Sequence, residues 1–377
     1  MPTGLVIMHW DERVGVEVLG AYPEEVVIQE KTLMQLYSQH EFTGEAGMVS
    51  LTAGAVNLAS YYTGPESAVY VILILTAEED GDVYEEGLAE ITRQILMNLE
   101  SDSLNSILPP LFQRLSVYPT LTEEQRYGML LNSDVKRMLL NRLREETAIS
   151  KSEISIWMKD QYREGFVDVE NLLAGMVKLG LVKIASVKGL SSDLVFLTED
   201  IMVLRTPPVE LVKDPVDHHL PASLKDSYIK EVRNFFELYV PSEADNLAII
   251  DKVLLDPACY EVIKLMREAM VTRNDLEKLR KKGVDDVDRV LKAMWETKMI
   301  AVFQDDKNNE YFCLTSDFFI ERFYPRYNID NIRQQYRTRS QNPNALLKAL
   351  DMMKDEYYAQ AKLKKAVAKK KEEVAAD

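Results

Sequence analysis

Two stretches of the chain repeat each other, and this constrains the fold more than any other feature. Val169, Leu172, Leu173, Met176 and Val177 set out an apolar helix face that returns as Val287, Val290, Leu291, Met294 and Trp295. Two short strand-like runs follow each face: Leu181 to Val187 and Leu194 to Leu197 in the first copy, Met299 to Phe303 and Tyr311 to Leu314 in the second. The exits correspond as well, Leu197-Thr198-Glu199-Asp200-Ile201 against Leu314-Thr315-Ser316-Asp317-Phe318. The spacing is 118 residues at the helix and 117 at the exit, a one-residue change in the turn between the strands. That turn is Gly-Ser-rich in the first copy and runs from Asp305 to Asn309 in the second. Agreement through helix, strand and exit marks two copies of one module.

Upstream of each face lie further helices. Thr122 to Glu145 is charged and helical, and Ser150-Lys151-Ser152-Glu153 opens Ile154 to Tyr162 with Ser150 or Ser152 as cap. In the second copy Thr272-Arg273-Asn274-Asp275 opens a helix to Lys282 that Gly283 ends. The order helix, helix, helix, strand, strand resembles a winged helix. The expected divisions are a first module at 119–206, a linker at 207–222 overlapping the Pro- and charge-rich Arg205 to Pro221, and a second module with its preceding helices at 223–325. A helical extension follows at 326–377, its Lys362 to Lys371 part basic.

The first 118 residues read differently. Leu5 to Met8 and Val14 to Val18 form a hairpin pattern, and Pro23-Glu24-Glu25 opens a helical stretch through Val26, Leu33, Leu36 and Tyr37. Three more strands are expected at Met48 to Leu51, Val56 to Tyr62 and Ala68 to Leu75. Helices follow at Val83 to Leu99, capped by Asp82, and at Leu104 to Leu115, entered through or broken at Pro109-Pro110. The run Val69 to Leu75 is too apolar for a solvated face, so it sits centrally in a five-stranded antiparallel sheet covered by helices. This order resembles the longin and roadblock domains, which are profilin-like folds. The fold class expected for the whole chain is therefore α+β and multidomain. The segments Gly4 to Gly20, Ser60-Tyr61-Tyr62-Thr63-Gly64-Pro65 and Leu111 to Gln125 resemble a conserved archaeal family that places such a domain ahead of winged-helix modules.

Charge separates these regions. The chain has 45 Lys and Arg against 61 Asp and Glu, a formal net charge of −16. Residues 1 to 118 hold 18 acidic side chains against Arg13, Lys31, Arg93 and Arg114, so nearly all of the imbalance lies there. Such a surface repels nucleic acid and attracts a basic protein face. The opening residues show no basic segment before Asp11 and Glu12, and the longest apolar run, Ala68 to Thr76, is about half of a membrane-spanning helix. Two cysteines, Cys259 and Cys313, form no disulfide framework, which points to a cytoplasmic setting.

Catalytic chemistry finds no support. There is no P-loop pattern, and Thr52-Ala53-Gly54 and Thr63-Gly64-Pro65 read as hairpin turns. His218 and His219 are adjacent in a Pro-rich segment, His9 and His40 stand apart, and Asp80-Gly81-Asp82 lacks the calcium-loop arrangement. No metal ligand, cofactor site or catalytic residue is assigned.

Two surfaces remain as candidates. Trp10, Tyr61, Tyr62, Leu111 and Phe112 form a candidate protein interface, because adjacent tyrosines on a strand point to opposite faces and one can lie outside; packing into the core or under the third helix is the favoured alternative. Arg273, Lys278, Arg280, Lys281, Lys282, Arg289 and Lys292 form a candidate patch for nucleic acid or an acidic partner. In the first copy carboxylates occupy the start of the corresponding helix at Asp168 and Glu170, which disfavours DNA. The expected function is a non-enzymatic scaffold or adaptor. The resemblance implies dimerisation and platforms for small GTPases and trafficking complexes; the short apolar runs leave membrane contact only through a partner. The alternative is a DNA-associated regulator using the second module and the basic tail.

Overall fold

The structure, a computed structural model, describes residues 2–374 apart from 12, 14, 44, 45, 55, 66, 100–103 and 162–168. Within its elements the side chains of 43, 53, 171, 282, 360, 361 and 363–374 also lie outside the description. The chain divides into two compact units, Met1–Thr122 and Glu123–Asp377.

The first unit contains β1 (Gly4–Asp11), β2 (Gly15–Tyr22), α1 (Glu30–Thr43), β3 (Gly47–Ala53), β4 (Val56–Tyr62), β5 (Val69–Thr76), α2 (Glu85–Leu96) and α3 (Leu104–Ser116). Its antiparallel sheet has the order β2-β1-β5-β4-β3, with β5 in the centre as its composition requires. Alternate residues face opposite helix layers. Val6, Met8, Leu58, Tyr62, Tyr70 and Ile72 pack with Leu33 and Leu36 of α1. On the other face α2 lies on β4 and β5, and α3 lies on β1 and β2. Each fully buried leucine or isoleucine contributes about 1.5–3 kcal/mol, which explains why Val69 to Leu75 carries no polar position.

Three local expectations need correction. The helix expected from Pro23 begins at Glu30; Val26 and Ile28 reach the core from irregular chain, so their apolar spacing imitates a helical turn. The cap near the acidic turn is Asp80, whose carboxylate accepts the Asp82 N–H at 3.0 Å and starts a 3-10 turn at Gly81–Tyr84 ahead of α2. Pro109 and Pro110 do not break α3. They remove two backbone donors, but burial of Leu104, Leu108, Leu111 and Leu115 along one face outweighs that loss.

The second unit opens with α4 (Glu123–Asn132), α5 (Asp134–Glu146), β6 (Ala148–Ser150), α6 (Lys151–Gln161), α7 (Val169–Lys178), β7 (Val182–Ala185), β8 (Leu194–Leu197) and β9 (Asp200–Thr206). It continues through α8 (Val209–Lys213), α9 (Lys225–Leu238), α10 (Glu243–Ile249), a π turn at Ile250–Leu254, α11 (Pro257–Glu268), β10 (Val271–Thr272) and α12 (Arg273–Glu277). The last elements are α13 (Val287–Glu296), β11 (Ile300–Gln304), β12 (Glu310–Leu314), β13 (Asp317–Phe323), α14 (Tyr327–Thr338) and α15 (Pro343–Val374). The two repeats match element by element. Each is a helix, a short strand, two helices and two strands, and the sheets have corresponding orders, β6-β8-β7 and β10-β12-β11.

The repeats share one apolar core rather than being strung apart. It runs from Tyr127 and Leu139 through Leu172 and Val195 to Val262, Met294 and Ile320. The segment expected as a linker is packed too, since α8 carries buried Leu211 and Leu220 follows it into the same core. Apolar residues among prolines and charges are enough to hold it down.

Candidate functional site

The repeats are joined by a self-complementary ladder. β9 and β13 pair antiparallel, with Asp200 opposite Phe323, Val203 opposite Ile320 and Thr206 opposite Asp317. Val203 and Ile320 are corresponding residues of the repeat, so each strand meets its own counterpart about a local twofold axis, as in an isologous dimer interface. The polar contacts obey the same symmetry. Arg144 of α5 holds Asp200 through Nε at 3.1 and 3.0 Å and through Nη2 at 2.8 Å, and donates to the Ile201 carbonyl at 3.0 Å. Arg267 of α11 holds Asp317 through Nε at 2.9 and 3.1 Å and donates to the Phe318 carbonyl at 2.6 Å. Across the axis, Arg205 reaches Ser316 and Asp245, and Arg322 reaches Glu199 and Glu123.

The candidate cationic patch is largely neutralised inside its own repeat. Arg273 pairs with Asp288 at 2.5 Å, Lys278 with Asp275 at 2.7 Å, Arg280 with Glu277 at 2.5 Å and Arg289 with Asp256 at 2.7 Å. Lys292 lies 4.0 Å from Glu296. Hydrogen bonds from Lys278 and Thr272 draw the Asp275 carboxyl down to about 2, so it stays ionised against its lysine. Lys281 is exposed, while the side chains of Lys282 and of most of the basic tail lie outside the description, and Asp168 lies outside the described residues. These exposed pairs stabilise little, but each supplies a nearby counter-charge to a cation that phosphate would otherwise need.

Of the candidate protein interface, Tyr61, Tyr62 and Leu111 are buried, and Trp10 and Phe112 are half-buried. Tyr61 and Tyr62 do point to opposite faces, yet both are buried, at 6% and 9% exposure, because helices cover the sheet on both sides. Tyr62 stacks on Tyr70 with centroids 4.6 Å apart, Trp10 stacks on Tyr37 at 3.8 Å, and Phe112 meets Tyr22 at 5.3 Å. Leu111 lies in the buried face of α3. His40 is buried beside these rings with Nε2 3.0 Å from Ser60 Oγ, and burial lowers its pKa to about 4, so it is neutral at pH 7.

An open surface lies elsewhere, on the second repeat. Trp295 was expected on the apolar face of its helix, yet it is 65% exposed while Val287, Val290, Leu291 and Met294 take the buried positions. It borders a groove of about 570 Å³ between α9 and β11, walled by Phe235 and the consecutive residues Ile300 to Phe303. β11 is the outer strand of its sheet, and Val302 on it is 46% exposed. An outer strand beside an exposed aromatic can receive an extended segment as a further strand. The signal missed in the sequence is that a helix ending at Glu296 presents its last aromatic beside the strand that follows.

Burial pushes the Cys313 thiol up to about 12 and raises that of Cys259 as well, which removes both as thiolate nucleophiles. His218 Nδ1 meets the Glu268 carbonyl at 2.8 Å, and among the described residues no cluster of three His, Cys, Asp or Glu side chains could hold a metal. No described helix is long and apolar enough to cross a membrane. In comparisons with known proteins, no family model and no curated sequence matches the chain.

Proposed function

We propose that the chain is a non-enzymatic adaptor that assembles protein partners, built from a longin- or roadblock-like sheet domain and two winged-helix modules fused about an internal twofold axis. The sheet order with helices on both faces, and the helix-strand-helix-helix-strand-strand order of each repeat, support that reading. The carrying observation is a contrast within the second repeat. Cations that a DNA-binding reading needs are matched by carboxylates, while Trp295 and the outer edge of β11 stand open. Phosphate binding draws its free energy from unmatched Lys and Arg, so the alternative of a DNA-associated regulator loses most of its patch.

The groove favours a partner that adds an extended strand to β11 and seats an apolar side chain against Trp295. The sheet domain's resemblance brings in a small GTPase as the partner class and a homodimer as the assembly; the two lone cysteines favour the cytoplasm, with membrane contact only through a partner. Anisotropy with duplex DNA at low salt should show no binding. Cross-linking of the full chain in native lysate should identify partners that a Trp295→Ala, Val302→Lys double variant loses. Micromolar DNA binding that disappears on changing Lys278, Arg280, Lys281 and Lys282 to Glu would reverse the order of the two readings. Light scattering should give the mass of two chains; a persistent single-chain mass removes the homodimer.

A further inference from the structure

The internal symmetry fails at one carboxylate, and a cavity opens there. Arg322 reaches Glu123 as Arg205 reaches Asp245, so those two acids correspond, and the next residues, Glu124 and Asn246, correspond in turn. Glu124 is the second carboxylate on Arg267: its oxygens lie 3.2 and 3.4 Å from Nη1 and Nη2, in addition to the Asp317 pair. Asn246 supplies no charge to Arg144, whose Nη1 donates instead to Asn141 Oδ1 at 2.9 Å. Backbone packing differs at the same place. α4 lies directly on β13, whereas a groove of about 710 Å³ runs between α10 and β9.

Arg144, Asn141 and Asn246 provide polar groups along this groove, and Val203, Leu247 and Ile250 provide apolar wall. Its cations already have carboxylate partners, Asp200 on Arg144 and both Glu243 and Asp134 on Arg137. The opposite repeat shows what such an arginine accepts next: one more carboxylate, carried on an apolar support. A partner helix does not suit the space, since a helix is about 10 Å across with its side chains and α10 already occupies that layer. The volume is that of a small-molecule site.

We propose that this groove binds a small monocarboxylate with an apolar body, its carboxylate taking on Arg144 the place that Glu124 takes on Arg267. The charged hydrogen bond to the guanidinium would orient the ligand, and the wall of Val203, Leu247 and Ile250 would cover its chain. The proposal is independent of the adaptor reading, because it uses none of the residues that line the Trp295 groove and needs no protein partner.

Titration calorimetry of the full chain with octanoate, and with octan-1-ol as the same chain lacking the charge, tests it. Octanoate should bind with one site per chain and at least about tenfold more tightly than octanol. Asn246→Glu restores the missing internal carboxylate, so it should weaken octanoate by about tenfold or more while raising the thermal midpoint. Leu247→Trp fills the groove without adding charge and should abolish binding through volume alone, which serves as a second variant should the first fold poorly. Octanol binding as tightly as octanoate, no octanoate binding below its aggregation concentration, or wild-type binding in both variants would each overturn the proposal.

Discussion

The two halves of the second unit share a scaffold and differ in how completely each arginine is enclosed. Arg267 lies between Asp317 and Glu124 and also supports the Phe318 carbonyl. Arg144 has Asp200, the Ile201 carbonyl and Asn141, and Asp200 is shared with the Tyr327 hydroxyl at 2.7 Å. The lesson concerns duplicated folds generally. The contacts that join the copies, across β9 and β13, keep their symmetry because a change on one side must be met on the other. Contacts one layer out are free to diverge, and one copy fills with side chains while the other opens.

Removing each arginine gives the largest test of that difference. Arg267→Ala leaves two largely buried carboxylates without their cation and should cost about 3–5 kcal/mol in urea denaturation. Arg144→Ala leaves one, still hydrogen-bonded by Tyr327, and should cost about 2–3 kcal/mol. Equal losses would mean that the second carboxylate adds nothing to the enclosure.

A pH series sharpens the same contrast. Burial raises the Glu124 pKa above its ordinary value of 4.5, outweighing the opposing attraction of Arg267. With a raised folded pKa the native state holds more protons than the unfolded one within that window. The group's contribution is therefore full below about pH 4.5 and is lost as pH rises through the folded value. Glu124→Gln should gain stability relative to wild type across that rise, measured as the difference in denaturation midpoints. A constant difference would show a carboxylate that titrates as in the unfolded chain. Asp275 runs the other way: its pKa is depressed to about 2, so its contribution is present above about pH 3.8 and fades as pH falls through the folded value. Asp275→Asn, which weakens a capping box, should cost about 1 kcal/mol at neutral pH and much less near pH 2.

Much of this architecture was legible in residue patterns, and the misses share a cause. The strands of the first unit followed from short continuous or alternating apolar runs, and the repeat from matched helix faces and exits. Pairs within one turn of helix, Lys278 with Asp275 and Arg280 with Glu277, were readable as three-residue spacings. Arg289 with Asp256 and Arg267 with Glu124 join elements far apart in sequence, and no local pattern announces them. Tyr61 and Tyr62 show the other limit. Alternation gave their opposite directions correctly, but only the helix layers decide that both directions lead into protein.

The smallest effect tests whether matched backbone positions tolerate different residues for the same reason. α7 and α13 end alike, with Leu181 N–H bonded to the Met176 carbonyl and Met299 N–H to the Met294 carbonyl, and each has a left-handed residue just before. That residue is Gly180 at φ +75° in the first repeat and Lys298 at φ +55° in the second. A side chain in this region costs about 1–2 kcal/mol, whereas glycine gives back about 0.5–1 kcal/mol in unfolded-chain entropy. The Lys298 side chain is exposed, and its carbonyl, which accepts from Arg205 Nη2 at 2.8 Å, survives substitution. Lys298→Gly should therefore stabilise by about 0.5 kcal/mol. Gly180→Ala should destabilise by more than that, because its new Cβ would stand 2.7 Å from Arg322 Nη1 and press on the pair with Glu199. Opposite signs at corresponding positions, read from midpoints in the same denaturant, would show that the twofold axis preserves backbone shape while leaving residue choice to each half. Matching signs would mean that the surroundings of the two helix ends differ more than their hydrogen bonds do.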